Sequence, residues 1–233
     1  MYVGEGNPDP GVPNRTFYEL EYGDSAFAVI DTRGYRTSRE LPDNANKSIL
    51  GLEQKQWLLN WLSSKNTTAR FKFIVSPLGF TSDMGEVIDS WGGFKTERDE
   101  IINYIRQNRI EGVMVLSGDS HFAYVTNIDG APGGEAGGLY EASASPISAF
   151  DRSLGGFRTL IGIPEEAFKP MDQRTDDILF YSEGQKGATS LIGMVRVDTT
   201  LPVPEAKVEL YDATTLIFNK TLVVTDLRAW AGI

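Results

Sequence analysis

A carboxylate and an imidazole two residues apart are the strongest chemical signal in the sequence. Asp119 and His121 lie in residues 117–121 (SGDSH), directly after the apolar run 113–116. If that run is a buried strand whose extended geometry continues, both side chains leave the same face. Such a pair suits a divalent metal, and the imidazole can serve a phosphate oxygen as proton donor. The structural alternative is an aspartate that caps a turn and a histidine that hydrogen-bonds to backbone.

His121 is the only histidine, and the chain has no cysteine. These counts exclude a histidine-rich zinc site, an HExxH peptidase, a disulfide framework and a cysteine nucleophile. The chain also has no phosphate-binding GxxxxGK[ST] loop, no GxGxxG after a strand and no GxSxG elbow.

Two further candidates are weaker, and both concern substrate binding. Arg33 follows Asp31 at the end of another apolar run, 26–30, and arginine binds phosphate through two parallel hydrogen bonds. The alternative is that Asp31 and Arg33 fasten a loop to the sheet. Trp91, in residues 89–94 (DSWGGF), either walls a pocket or anchors the core.

Composition narrows the classes of partner and gives a hint about the compartment. The 233 residues carry a net charge of −10 with 41% hydrophobic residues, so we expect a globular chain without a nucleic-acid or anionic-membrane surface. No apolar run approaches the roughly 20 residues of a membrane-spanning helix. The Asn-x-Ser/Thr pattern of glycosylation acceptors occurs at Asn14, Asn46, Asn66 and Asn219. It weakly favours a secreted glycoprotein, and the alternative is that the pattern occurs by chance.

Strand and helix signals alternate in the first half of the chain and give way to strands in the second. Apolar runs predict buried strands at 26–30, 71–75 and 113–116, with helices over 52–61 and from Thr96, capped through Asp99, to 105. This βαβαβ order over 1–130 predicts a partly parallel sheet. Residues 131–233 predict a mainly antiparallel run with strands at 139–143, 178–182, 191–197, 206–211 and 216–224. We expect one α/β domain in which a second sheet shares the core, with a boundary near Gly130 as the alternative.

Several of these segments together resemble one family. Residues 26–36 (AFAVIDTRGYR), 50–61 (LGLEQKQWLLNW), 71–77 (FKFIVSP), 89–100 (DSWGGFKTERDE), 115–122 (VLSGDSHF) and 139–148 (LYEASASPIS) occur in the order and spacing seen in PhoD-like alkaline phosphatases of the metallophosphoesterase superfamily. Residues 193–211 also resemble the C-terminal strands of that family.

The resemblance implies a fold, an activity and a site. The implied fold is two β-sheets flanked by helices, and the implied activity is hydrolysis of a small phosphate ester by a metal-activated hydroxide at a calcium and iron centre. By position, Asp119 matches a metal ligand, and His121 matches the catalytic residue beside the metals and the phosphate. Arg33 and Trp91 lie in family-like motifs without a transferable role.

The sequence departs from the family pattern at its N-terminal side. The early aspartates, the tyrosine and the Asn-Asp type segment that bring most of the family's metal ligands have no counterpart before Asp31, so we expect a C-terminal half truncated at the N-terminus. One aspartate and one histidine do not complete a centre of several ions, and we expect the isolated chain to be weakly active or inactive. The alternative is a non-enzymatic binding module whose open sheet edge pairs with a partner, such as the missing half. An unrelated α/β protein with a structural Asp-x-His is a third reading.

Overall fold

The computed structural model describes residues 15–81, 90–119, 123–128, 138–145, 176–181 and 191–228. The described parts contain two α-helices, α1 (Gly51–Lys65) and α2 (Lys95–Gln107), and two short 3-10 turns, Trp91–Gly93 and Val224–Asp226. Their ten strands are β1 (Tyr18–Tyr22), β2 (Ser25–Val29), β3 (Phe71–Val75), β4 (Val113–Ser117), β5 (Tyr124–Ile128), β6 (Leu139–Ser143), β7 (Asp177–Tyr181), β8 (Leu191–Asp198), β9 (Glu205–Asp212) and β10 (Thr215–Val223).

Seven of these strands form one mixed sheet in the order β1-β2-β3-β4-β6-β5-β7. Strands β2, β3, β4 and β6 run parallel, while β1, β5 and β7 pair antiparallel with their neighbours. The predicted parallel strands of the first half are therefore confirmed. Residues 139–143 were predicted to belong to the antiparallel run. That is correct for the pairing of β6 with β5 but wrong for its pairing with β4, to which β6 is parallel. Strand β5 was not predicted from the sequence. Because β5 runs antiparallel to β6, it brings the chain back to the end of the sheet from which β6 can run parallel to β4.

Alternate residues of the parallel strands point into two separate hydrophobic layers. On one face, Ala28, Ile74 and Val115 pack against the inner sides of α1 and α2, represented by Leu58 and Ile101. Both helices lie on this face, as expected for crossovers between parallel strands.

The second sheet, in the order β10-β9-β8, packs on the opposite face. Phe73 and Met114 of the large sheet share this layer with Leu191, Val208 and Leu210 of the small one. The expectation that a second sheet shares a core with the first is confirmed by this layer.

The beginning of each helix is held by a residue from a distant part of the chain. Thr96 does not cap α2 as predicted, because the helix already begins at Lys95, and the Thr96 N–H donates to the carboxylate of Asp43. In turn, the buried carboxylate of Glu97 accepts hydrogen bonds from the N–H groups of Ile49 (2.6 Å) and Leu50 (3.2 Å), just before α1. Glu97 therefore joins the two helices by satisfying backbone donors that a helix start leaves unpaired.

Candidate functional site at the carboxyl edge of the large sheet

The carboxyl ends of the parallel strands meet at one edge of the seven-stranded sheet, where α/β folds bind their ligands. The residues that follow these strands are Asp31 after β2, Ser76 after β3, Asp119 after β4 and Ser145 after β6. The backbone ladder continues past the strands, since the Ser76 N–H donates to Leu116 O at 2.9 Å. Two residues selected from the sequence, Asp119 and Arg33, therefore lie on this edge.

Asp119 presents its carboxylate to solvent on an unusual backbone. Its side chain is 55% exposed, and its φ is +62°, in the left-handed region that only a few residue types tolerate. The condition of extended geometry is not met at Asp119, because β4 ends at Ser117 and the φ of Asp119 is positive. His121 lies outside the described residues.

Arg33 reaches Asp119 across the edge. One guanidinium nitrogen, Nη2, lies 3.8 Å from Asp119 Oδ2, and half of the Arg33 side chain is exposed. At this distance and exposure the ion pair contributes little, so it alone does not hold either group in place. The structure thus brings a carboxylate and a guanidinium, both selected from sequence, into one accessible place.

Asp31 has the structural role that the sequence left as an alternative. Its Oδ1 accepts the N–H groups of Arg33 (2.7 Å) and Gly34 (3.0 Å), and its Oδ2 accepts the hydroxyl of Thr16. Partial burial on its own would raise the pKa of the Asp31 carboxyl, but these hydrogen bonds outweigh it and the pKa is lowered. The side chain thereby fixes the turn that carries Arg33.

Trp91 lies inside the molecule. Its indole is fully buried, contacts the ring of Phe80 with centroids 4.7 Å apart, and donates through Nε1 to Ser76 Oγ at 3.2 Å. This is the environment of an aromatic core anchor, the second of the two roles considered from the sequence. The Ser76 hydroxyl also donates to Leu78 O at 2.6 Å, so Trp91 supports the loop after β3.

A third carboxylate near this edge, Glu141, was not predicted from the sequence. Glu141 of β6 is fully buried, and its Oε1 accepts from Phe80 N (2.7 Å), Ser117 Oγ (2.6 Å) and Tyr124 OH (2.8 Å). Its Oε2 accepts from Thr81 N at 2.8 Å. The same loop continues the network, since the Thr81 hydroxyl donates to the buried carboxylate of Asp176. The one sequence signal was a glutamate flanked by apolar residues in the predicted strand 139–143.

Burial shifts the titration of this network. Desolvation raises the pKa of Glu141 despite the four donors that lower it, and desolvation together with the Glu141 charge raises the pKa of Tyr124 well above its ordinary value. Both oxygens of Glu141 are already occupied by donors and shielded from water. Glu141 is therefore suited to hold protein groups in place and is not placed to bind a ligand.

Asp119 fits a metal ion as one ligand. An exposed carboxylate suits a hard cation, such as calcium or iron, that prefers oxygen donors. Within the part of the chain that the structure describes, no three histidine, aspartate or glutamate side chains come together. Asp119 would supply one oxygen ligand of the implied centre, and His121 follows it two positions later in the sequence.

Comparisons with known proteins bear on the family and the fold of the chain. The model of the PhoD-like phosphatase family matches residues 5–192, most of the chain. Alkaline phosphatase D of Bacillus subtilis (strain 168) is 33% identical over 138 residues, which cover 51% of this chain and 23% of that protein. The chain therefore spans about a quarter of the length of this curated relative.

A solved structure shows the same fold. A structure of PhoD superposes with a TM-score of 0.58 at 20% identity, over 92% of this chain and 43% of that one. The purple acid phosphatase PPD1 from yellow lupin (Lupinus luteus) seeds gives a TM-score of 0.49 at 14% identity, over 89% of this chain and 32% of that one. The superposition on PhoD confirms the metallophosphoesterase-like architecture of two sheets with helices that the sequence predicted.

Proposed function

This chain belongs to the PhoD-like phosphatase family, as its sequence resemblance predicted, and from that premise we propose that it hydrolyses phosphate esters with the help of bound metal ions. The substrate is a small phosphate ester. Calcium and iron are the metals that the resemblance favours. Because the chain spans 23% of its curated relative and 43% of the PhoD structure, the activity of those whole proteins is a proposal for this one.

One observation carries the proposal: the carboxylate of Asp119 is exposed at the carboxyl ends of the parallel strands, with Arg33 beside it at 3.8 Å. The carboxylate offers an oxygen ligand to a metal. The guanidinium offers parallel N–H donors to the oxygens of a phosphoryl group. A phosphate ester can use both kinds of contact within a few ångströms, the metal ion on one side and the guanidinium on the other.

Each residue then has a stated part in the reaction. Asp119 would hold a metal ion, which when bound activates water as the nucleophile and offsets charge on the phosphoryl oxygens. Arg33 would hold the substrate phosphate and limit its rotation. His121, two residues beyond Asp119, would donate a proton to the leaving alkoxide. Trp91 would contribute by supporting the loop after β3 from within the core.

The test is hydrolysis of p-nitrophenyl phosphate and bis(p-nitrophenyl) phosphate by the purified 233-residue chain. The assays contain calcium with iron, then manganese, then zinc. Asp119→Asn and His121→Ala are compared with Asp24→Asn, an exposed aspartate in the β1–β2 turn at the opposite end of the sheet. We expect metal-dependent hydrolysis that is low in the wild type, falls by about a hundredfold or more in the first two variants, and is unchanged in the control.

Two results would count against this function. Hydrolysis that survives Asp119→Asn would place the reaction elsewhere or assign it to a contaminant. A folded wild type that hydrolyses neither ester with any metal would favour the non-enzymatic binding module, with a further part of a PhoD-like fold as its partner.

The remaining expectations concern partners and compartment. The net charge of −10 argues against a nucleic-acid surface. No helix in the described ranges is both long and apolar enough to span a membrane. Asn46 and Asn219 are exposed and Asn66 is partly exposed, whereas Asn14 lies outside the described residues. Glycosylation at these acceptors and a secreted location stay predictions.

A further inference from the structure

The backbone of Asp119 needs support from its surroundings. A residue other than glycine at φ +62° is in a sparsely populated conformation, which persists only where neighbouring groups hold it. The exposed side chain of Asp119 makes a weak ion pair with Arg33, and this cannot supply that support. In the described residues just before Asp119, a side-chain attachment is found at Ser117, the last residue of β4.

Ser117 is fastened through Glu141. The Ser117 hydroxyl donates to Glu141 Oε1 at 2.6 Å, and the same oxygen accepts from Tyr124 at the beginning of β5 and from Phe80 in the loop after β3. One buried oxygen thus joins the end of β4 to the chain segments on either side of it. We propose that Glu141 is a positioning residue, which fixes the end of β4 and thereby the orientation of Asp119 as a metal ligand. This inference rests on the proposed function.

The packing around Glu141 supports a specific role over simple filling of the core. A carboxylate is costly to bury unless hydrogen bonds compensate it, and Glu141 is compensated by four donors from the loop after β3, the end of β4 and the beginning of β5. The backbone has also closed in on the network: a Cβ at Gly79 would lie 2.7 Å from the Tyr124 hydroxyl, closer than side chains normally approach. Loop, strand ends and carboxylate are thus fitted to one another at the edge that carries Asp119.

The test compares Glu141→Gln with Glu97→Gln. Glu97 is an equally buried carboxylate that also accepts two backbone N–H groups, but it joins α1 and α2 and does not contact β4. Ser117→Ala is the second variant, because it removes the hydroxyl at the end of β4 and leaves Glu141 with its donors Phe80, Thr81 and Tyr124. The first readout is the set of backbone NMR chemical shifts of Gly118 and Asp119 without metal. The second is the metal concentration that gives half-maximal hydrolysis of p-nitrophenyl phosphate.

We expect Glu141→Gln and Ser117→Ala to move the Asp119 shifts in the same direction, with Glu97→Gln leaving them in place. The half-maximal metal concentration should rise by about tenfold to a hundredfold in Glu141→Gln, the usual range for residues that orient a ligand, and by less in Ser117→Ala. If the wild type hydrolyses nothing, the proposed function fails, and the shifts still decide the positioning role. If Glu141→Gln does not fold, Ser117→Ala decides it. Asp119 shifts that stay in place in Ser117→Ala, or that move as far in Glu97→Gln as in Glu141→Gln, would overturn the inference.

Discussion

Asp119 and Glu141 are carboxylates at the same edge of the same sheet, and they differ in almost every physical respect. Glu141 is fully buried, accepts four hydrogen bonds from the protein and has a raised pKa. Asp119 is 55% exposed, and its recorded ion pair is with a guanidinium 3.8 Å away. A carboxylate whose lone pairs are already used holds the fold, whereas one with lone pairs facing water can take a ligand. Exposure and hydrogen-bond saturation, not residue type, therefore separate the two functions.

The largest expected effect tests this difference through stability. Glu141→Ala leaves two backbone N–H groups and two hydroxyls without their acceptor, so we expect the free energy of unfolding to fall by about 3–5 kcal/mol. Asp119→Asn keeps a residue that tolerates positive φ at an exposed position, so its change should stay within about 0.5 kcal/mol. Urea denaturation at neutral pH measures both, with equal m-values as the control for a common unfolded state. Similar losses in the two variants would contradict the comparison.

A buried charge elsewhere in the sheet sharpens the comparison. Lys72 of β3 is buried on the helix side of the sheet, and its ammonium donates to Ala69 O at 2.9 Å. Burial lowers the pKa of Lys72 to about 8, and the Glu111 charge offsets only part of that shift. Against the ordinary value of 10.5, this shift amounts to roughly 3 kcal/mol of folding free energy at neutral pH. Glu141 has four partners for its burial, whereas Lys72 has little compensation.

We therefore expect Lys72→Met to stabilise the chain by about 1–3 kcal/mol at pH 7. The sign follows from the depressed pKa: the unfolded chain binds the Lys72 proton below about pH 10.5 and the folded chain only below about pH 8, so the wild type loses stability as pH falls through this window. The variant should lack that loss. Thermal or urea unfolding between pH 7 and pH 10.5 measures it, with Lys220→Met on β10 as the control. A variant less stable than the wild type at pH 7 would show that the Ala69 hydrogen bond outweighs the cost of burial.

The exposed carboxylate Asp119 was predicted from the sequence as a site residue, whereas the buried carboxylate Glu141 was not. Asp119 and Arg33 were found because each directly follows an apolar run, and strand ends at one edge converge on a site. The partners of Glu141 lie 24 residues away at Ser117 and 61 residues away at Phe80, so no local pattern connects them. Their association depends on β6 entering the sheet beside β4, a topology that the sequence left undetermined.

Prediction of the fold from sequence failed in a similar way for the edge strand β1 and for the beginning of α2. Strongly apolar strands such as β3 were predicted at their observed bounds. Strand β1 (YELEY) was missed because charged residues alternate with exposed apolar ones and little of it is buried. The cap of α2 was assigned to a neighbour in sequence, but Asp43 supplies it from a loop 53 residues away. Strand β1 is held by its hairpin neighbour β2, whereas the beginning of α2 depends on a long-range partner that local propensity does not contain.

The smallest expected effect on stability is at Arg33, and it separates holding the fold from holding a ligand. Two charges about 4 Å apart in water interact by only about 1 kcal/mol, and salt screens most of it, so Arg33→Gln should change the free energy of unfolding by at most about 0.5 kcal/mol. Arg196→Gln is the matched control: Arg196 donates at 2.8 Å to the buried Glu209, whose pKa hydrogen bonds from Lys207 and Arg196 hold at about 2. We expect the urea midpoint to fall further for the control than for Arg33→Gln.

If Arg33 binds the substrate phosphate, its variant should raise the KM for p-nitrophenyl phosphate by about tenfold with the fold intact, since a charged hydrogen bond to the anion is lost. An unchanged KM would show that Arg33 belongs to the loop that Asp31 fastens and does not bind the phosphate. Of the two, Asp119 alone would then face the ligand.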